Sequence, residues 1–126
     1  MELETETGRV LAAAVTVHRT LGPGFLERIY ENALILEFEA RGIAYERQVT
    51  LPISYRGVVV GEHRLDLLVE GRVVVELKAV LAVQDIFYAT LRSYLRATEK
   101  PVGLLLNFAA ATLLPKRVFP DLPPRP

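Results

Sequence analysis

Asp66, Glu76 and Lys78 are the residues whose types and spacing suggest chemistry. They lie within R-L-D-L-L-V-E-G-R-V-V-V-E-L-K (residues 64–78), otherwise the Val/Leu run of two strands buried in a sheet. Side chains alternate along a strand, so Glu76 and Lys78 share a face. Whether Asp66, which shares its own face with Arg64, joins them depends on the turn between the runs. A two-residue turn at Glu70-Gly71 pairs Asp66 with Val75 and sends it to the opposite side. A three-residue loop, or a type I turn with Gly71 in the left-handed bulge position, brings Asp66 alongside Glu76. Gly71 makes the bulge easy, and the bulged or three-residue version is expected here. Two carboxylates and one ammonium at one spot suit a hard divalent cation such as Mg²⁺. The lysine would then hold an attacking water or stabilise charge developing on a phosphate. No histidine or cysteine cluster competes for a softer metal.

The competing reading is a solvated face or an ordinary ion pair, and it serves for any one of the three. It serves less well for all three together. The flanks L-L-V, V-V-V and A-V-L-A-V point to burial on both faces, where an unpaired charge is very costly. Glu27 and Glu31, one helical turn apart, add two more acids on one face. That face continues through Leu34, Ile35 and Phe38, whereas Arg28, Asn32 and Glu39 mark the solvent side. Both glutamates also sit where a helix N-terminus favours negative charge, so completing a metal site and capping the helix dipole are both open to them.

The elements that must position these residues follow from the periodicity. Val10, Ala13, Ala14, Val17 and Leu21 recur at helical spacing from about Glu4 to Leu21, and Gly22-Pro23-Gly24 ends that helix. A second helix is expected from Phe25 to Arg41, stopped by Gly42. Ile43 to Tyr55, Val58 to Val69 and Arg72 to Ala79 read as strands, with turns near Arg56-Gly57 and Glu70-Gly71. Gln84 to Thr98 returns to helical spacing, with Ile86, Ala89, Leu91, Tyr94 and Leu95 expected inside. Pro101 opens the short strand V-G-L-L-L-N-F, and a last strand is expected near Arg117 to Phe119. The outcome is one α+β domain: two helices, a three-stranded meander, a helix, and one or two further strands.

Composition narrows the function classes. Fifteen basic and fifteen acidic residues cancel, so binding to nucleic acid would need a local basic patch. There is no cysteine, hence no disulfide and no thiolate ligand. The start M-E-L-E-T-E-T-G-R is acidic where a signal peptide is basic and then apolar. No apolar run approaches the roughly 18 residues of a membrane span, so no membrane partner is expected and the default compartment is the cytoplasm.

An aspartate at 66 followed by E-L-K at 76–78, within this order of elements, resembles the PD-(D/E)xK nuclease superfamily. L-G-P-G-F-L-E-R-I-Y-E-N-A-L (residues 21–34) is similar to the GxxExxY proteins, read here as Gly24, Glu27 and Tyr30. The resemblance extends through G-I-A-Y-E-R-Q-V-T-L-P-I-S-Y-R-G, D-L-L-V-E and V-E-L-K-A-V to S-Y-L and G-L-L-L-N-F. It implies a restriction-endonuclease-like α/β sandwich, expected over residues 1–120; the Pro-rich stretch 121–126 cannot pack regularly and is expected to be a frayed tail. It implies that Asp66 and Glu76 bind Mg²⁺ or Mn²⁺, that Lys78 is the catalytic lysine, and that Glu27 or Glu31 is the acid from the preceding helix. The activity implied is metal-dependent hydrolysis of a nucleic-acid phosphodiester. The sequence departs from the pattern in the helix after the lysine. Many relatives carry a histidine and then a glutamine there; this chain has Phe87 and Thr90, while Tyr94 is retained.

Other residues carry weaker signals. His18, at the edge of the first helix's apolar face, reads as a hydrogen-bonded histidine that the fold could bring near Glu27. His63 should face away from Asp66, and no catalytic role is assigned to it. Arg92 and Arg96, with Arg64, are candidates for phosphate contacts, although cations near a helix C-terminus are stabilising in their own right. Tyr45, Tyr55 and Tyr88 could stack on bases but commonly serve as core residues with a wet edge. Alongside a nuclease stand a non-catalytic binding or scaffold module and a subunit active only with a partner or as a homodimer, which would supply two sites.

Overall fold

The start and stop signals for the helices sit in the glycines. In a computed structural model, which describes residues 2–113 and 115–120, α1 runs Glu2–Leu21 and α2 runs Glu27–Arg41. Gly42 closes α2 in the left-handed region (φ 68°), and the Ile43 amide donates to the Phe38 carbonyl at 2.9 Å. The strands are β1 (Tyr45–Tyr55), β2 (Val58–Val69), β3 (Val73–Lys78), β4 (Val102–Asn107) and β5 (Lys116–Val118), with α3 (Asp85–Ala97) between β3 and β4. The Pro-rich stretch 121–126 lies outside the described residues.

All five strands form one sheet in the order β1-β2-β3-β4-β5. Neighbours are antiparallel except β3 and β4, which are parallel with α3 as their crossover. The helices cover opposite faces. On one, Val10, Ala14, Tyr30, Leu34 and Phe38 of α1 and α2 pack on Val73, Val75, Leu77, Leu104 and Leu106. On the other, Leu91 and Leu95 of α3 pack on Leu65, Leu68, Val74 and Leu105. Each such fully buried leucine or valine stabilises the fold by about 1.5–3 kcal/mol before entropy is counted. At Gly103 a Cβ would lie 3.1 Å from the Leu91 side chain, so β4 has no room for one unless Leu91 gives way.

Ile86 corrects the sequence reading: it is 60% exposed. The inward stripe of α3 runs Phe87, Leu91, Leu95 at four-residue spacing, and Ile86 sits one residue, about 100°, off it. β2 also extends well beyond β3, which pairs only with Leu67–Val69. The rest of β2 forms a two-stranded ribbon with β1.

Candidate active site

Three residues, Glu70–Arg72, join β2 to β3, with Val69 opposite Val73, Leu68 opposite Val74 and Leu67 opposite Val75. Glu70 and Gly71 both have positive φ (54° and 69°), and the Arg72 amide donates to the Val69 carbonyl at 3.0 Å. Glu70, strained for a residue with a Cβ, is tied down twice: its amide donates to the Ala44 carbonyl, and its Oε1 accepts the Ala44 amide. This register carries Asp66 to Glu76, as the sequence led one to expect. The ladder then stops. Instead of a backbone carbonyl, Asp66 Oδ2 accepts the Leu77 amide hydrogen at 2.9 Å. β2 swings away from β3 at this point, and its facing changes. Leu67 and Val69 point to the α1–α2 face, whereas Leu65 joins Leu68 on the α3 face.

The change of facing corrects the position expected for His63. It lies on the α3 side, 3.9 Å from Glu76 (Nε2 to Oε1), with its ring stacked on Tyr94 at 3.3 Å and 18°. Strict alternation across Asp66 had placed it away from the site. With Glu76, Lys78, Phe87, Thr90 and Tyr94 it lines a cavity of about 190 Å³. On the α2 side, Asp66 opens onto a hollow of about 670 Å³ with Glu27, Glu31, Arg47, Gln48 and Arg64. The two carboxyl groups meet in the seam between these spaces, close enough for each to act on the other's ionisation.

Their electrostatics follow from that meeting. Burial, and next the Asp66 charge, push the Glu76 carboxyl up to about 8, while Lys78 opposes the shift. Burial raises Asp66 as well, against the Leu77 amide, which favours its charged form. Glu27 is an exposed residue, yet enough of its carboxyl is desolvated, and close enough to Asp66, that its pKa is raised too. Burial lowers His63. Lys78 Nζ lies over the Phe87 ring, 4.6 Å from its centre. Glu76 Oε1 and His63 Nε2 are buried without a hydrogen-bond partner.

These residues fit a hard divalent cation: two carboxylates converge, one buried oxygen is unpartnered, and a third acid, Glu27, stands nearby. Among the described residues, no three His, Asp or Glu side chains are already grouped to hold one.

A family model described as the PD-(D/E)XK nuclease superfamily matches residues 4–118. The chain belongs to that superfamily. Three helices and a five-stranded mixed sheet are its restriction-endonuclease-like α+β fold. The solved "Crystal structure of SSO0001" is similar, with a TM-score of 0.59 at 17% identity over 77% of this chain, a likeness of fold alone. This chain spans 52% of that structure's length. No curated protein matches it.

The remaining sequence-selected residues of this PD-(D/E)XK chain divide by position. Glu31, buried, has both oxygens engaged: Oε2 accepts from Arg47 (2.8 Å) and Oε1 from Gln48 (2.8 Å). Tyr30 is fully buried against Phe108, and its hydroxyl holds the loop that leads into α2. In the GxxExxY stretch, then, Gly24 bends the backbone (φ 112°), Tyr30 ties it, and Glu27 emerges as the first residue of α2. His18 bonds the Ala110 carbonyl at 2.8 Å and packs near Phe108, under the loop after β4. Arg64 lines the α2-side hollow, whereas Arg92 and Arg96 of α3 line neither space.

Sequence reasoning missed Arg47, Gln48 and Asn107. Gln48 adopts φ 50° inside β1 and reaches Glu31, and nothing in Y-E-R-Q-V marks that bend. Asn107 bonds both backbone groups of Val80, at 3.1 and 2.9 Å, and so fixes the chain just beyond Lys78. Its place at the end of an apolar strand was the one available signal.

Proposed function

We propose that this PD-(D/E)XK chain is a divalent-cation-dependent nuclease that hydrolyses nucleic-acid phosphodiester bonds. The observation that carries the reading is the juxtaposition of the Asp66 and Glu76 carboxyl groups beside Lys78, in a seam open to solvent-sized cavities on both sides. Asp66 and Glu76 are the residues that would hold Mg²⁺ or Mn²⁺, and Glu27 is the third acid. Glu31 is the weaker candidate because Arg47 and Gln48 already occupy its oxygens. Such a cation supplies Lewis-acid stabilisation of the charge that develops on the scissile phosphate and on the leaving oxygen. Lys78 positions the attacking water and lends its positive charge to the phosphate. Tyr94 acts indirectly, by orienting His63. Arg64, on the rim of the hollow, is the cation best situated to meet a substrate phosphate. The GxxExxY stretch positions Glu27, and a homodimer would set two such sites along one substrate.

A second reading, a catalytically weak nuclease-fold binding module, is favoured by one observation. The Lys78 ammonium rests on Phe87, at a position where relatives carry a histidine.

The test is cleavage of a mixed panel of labelled DNA and RNA with Mg²⁺, Mn²⁺ or EDTA, by the wild type and by Lys78→Ala. Cleavage that needs the cation and is lost in Lys78→Ala supports the nuclease and identifies its substrate class. Absence of cleavage by the wild type, together with cation binding that depends on Glu76, transfers the weight to the binding module.

A further inference from the structure

His63 Nε2 and Glu76 Oε1 are both buried, both without a hydrogen-bond partner, and 3.9 Å apart. That separation is longer than a direct hydrogen bond. A direct hydrogen bond brings nitrogen and oxygen to about 2.7–3.2 Å, and a water bonded to both at a tetrahedral angle holds them roughly 4.5 Å apart. A divalent cation about 2.1 Å from each spans roughly 3.0 Å at a right angle and about 4.2 Å in line. The observed 3.9 Å is too long for a direct hydrogen bond and leaves room for a bridging cation at an angle between those two limits.

The imidazole is also held in place. Its ring stacks on Tyr94, and its backbone is paired with Leu51 of β1. His63 and Glu76 line one cavity, which gives a cation an approach from the Lys78 side. Glu76 therefore stands between two partners, the Asp66 carboxyl and the His63 ring.

We propose that His63 is a third protein ligand of the cation held by Asp66 and Glu76, and that its imidazole shifts the site's preference from Mg²⁺ towards a first-row transition-metal cation such as Mn²⁺. The proposal rests on the two-carboxylate metal site of the preceding reading. Its chemical basis is that Mg²⁺ takes oxygen ligands almost exclusively, whereas first-row transition-metal cations accept imidazole nitrogen more readily, Mn²⁺ least among them. His63 lies three residues before Asp66, across the point where β2 leaves β3. Only the change of facing there brings the ring to the carboxylates.

The test needs no nucleic acid. Mn²⁺ and Mg²⁺ affinities are measured calorimetrically for the wild type, His63→Phe and Glu76→Gln, and ¹⁴N coupling to bound Mn²⁺ is read by pulsed electron paramagnetic resonance. His63→Phe keeps an aromatic ring on Tyr94 and removes the nitrogen. It is expected to lose about 10–100-fold in Mn²⁺ affinity while Mg²⁺ affinity stays within about threefold. The ¹⁴N coupling of the wild type is expected to vanish with it. Mn²⁺ binding that requires Glu76 but is unchanged in His63→Phe would overturn the role of His63 and leave the carboxylate site standing. Binding that is absent from the wild type, or indifferent to Glu76→Gln, would remove the carboxylate site and this inference together. Should His63→Phe fail to fold, the wild-type spectrum decides: ¹⁴N coupling supports ligation, and its absence excludes it.

Discussion

The Tyr30 hydroxyl donates to the Gly22 carbonyl at 2.6 Å and accepts the Phe25 amide hydrogen at 3.1 Å, so one side chain closes the loop between α1 and α2. Tyr30→Phe keeps the stack on Phe108 and removes both bonds. It is expected to lower stability by about 1–2 kcal/mol in urea denaturation, and to speed amide exchange at the start of α2, where Glu27 sits. Unchanged exchange there would mean that the loop does not depend on the hydroxyl.

Asp66 has two jobs that different substitutions separate. Asp66→Asn retains an oxygen for the Leu77 amide and removes the charge facing Glu76. It should hold or raise the stability of the cation-free protein while weakening Mn²⁺ binding at least tenfold. Asp66→Ala leaves the amide unpaired and should lower stability by about 1–3 kcal/mol. Denaturation curves and cation titrations of the two variants check this, and equal stability for both would remove the structural role.

The carboxyl pair makes the cation-free protein sensitive to pH in a definite direction. Glu76, pushed up to about 8 in the fold, ionises near its ordinary 4.5 once the chain unfolds. Unfolding between those values releases a proton, so this contribution to stability is full below pH 4.5 and lost as pH rises through about 8. The expected slope is at most about 1.4 kcal/mol per pH unit. Urea denaturation in EDTA across this interval should show stability falling, with Glu76→Gln flattening the fall. Stability that stays flat over the same interval would mean that the pair is ionised in the fold.

Arg47, 43% exposed, donates twice to the buried Glu31 and once to Asn32. Arg47→Ala leaves Glu31 with the bond from Gln48 in this cluster. A loss of about 1–2 kcal/mol is expected, at the low end for a buried pair because the arginine is partly solvated. Calorimetric Mn²⁺ affinity should change by less than about threefold if Glu31 is structural and Glu27 is the helix acid. A loss as large as that of Asp66→Asn would reverse that assignment.

Much of the fold was legible because its signals are local. Gly42 stops α2, the period changes after Ile43, and Gly71 permits the loop whose length brings Asp66 to Glu76. What was not legible depends on partners distant in sequence or on a break in a regular pattern. Alternation mis-sided His63 because Asp66 bonds Leu77 with its side chain and turns the strand. The helical period mis-sided Ile86 because an apolar residue one position off the stripe still looks apolar in the sequence. Glu31 looked like a candidate ligand until Arg47 and Gln48, sixteen and seventeen residues on, were seen to occupy it.

The bond from Asp66 to the Leu77 amide also bears on how activity is judged across relatives of this chain. An aspartate there supports the sheet whether or not any chemistry takes place, so a descendant that has lost catalysis still has a reason to keep it. Glu76 has the weaker structural reason: its Oε1 bonds nothing in the fold, and its burial beside another carboxyl is a liability without a cation. As a diagnostic of a working site, the glutamate is therefore worth more than the aspartate.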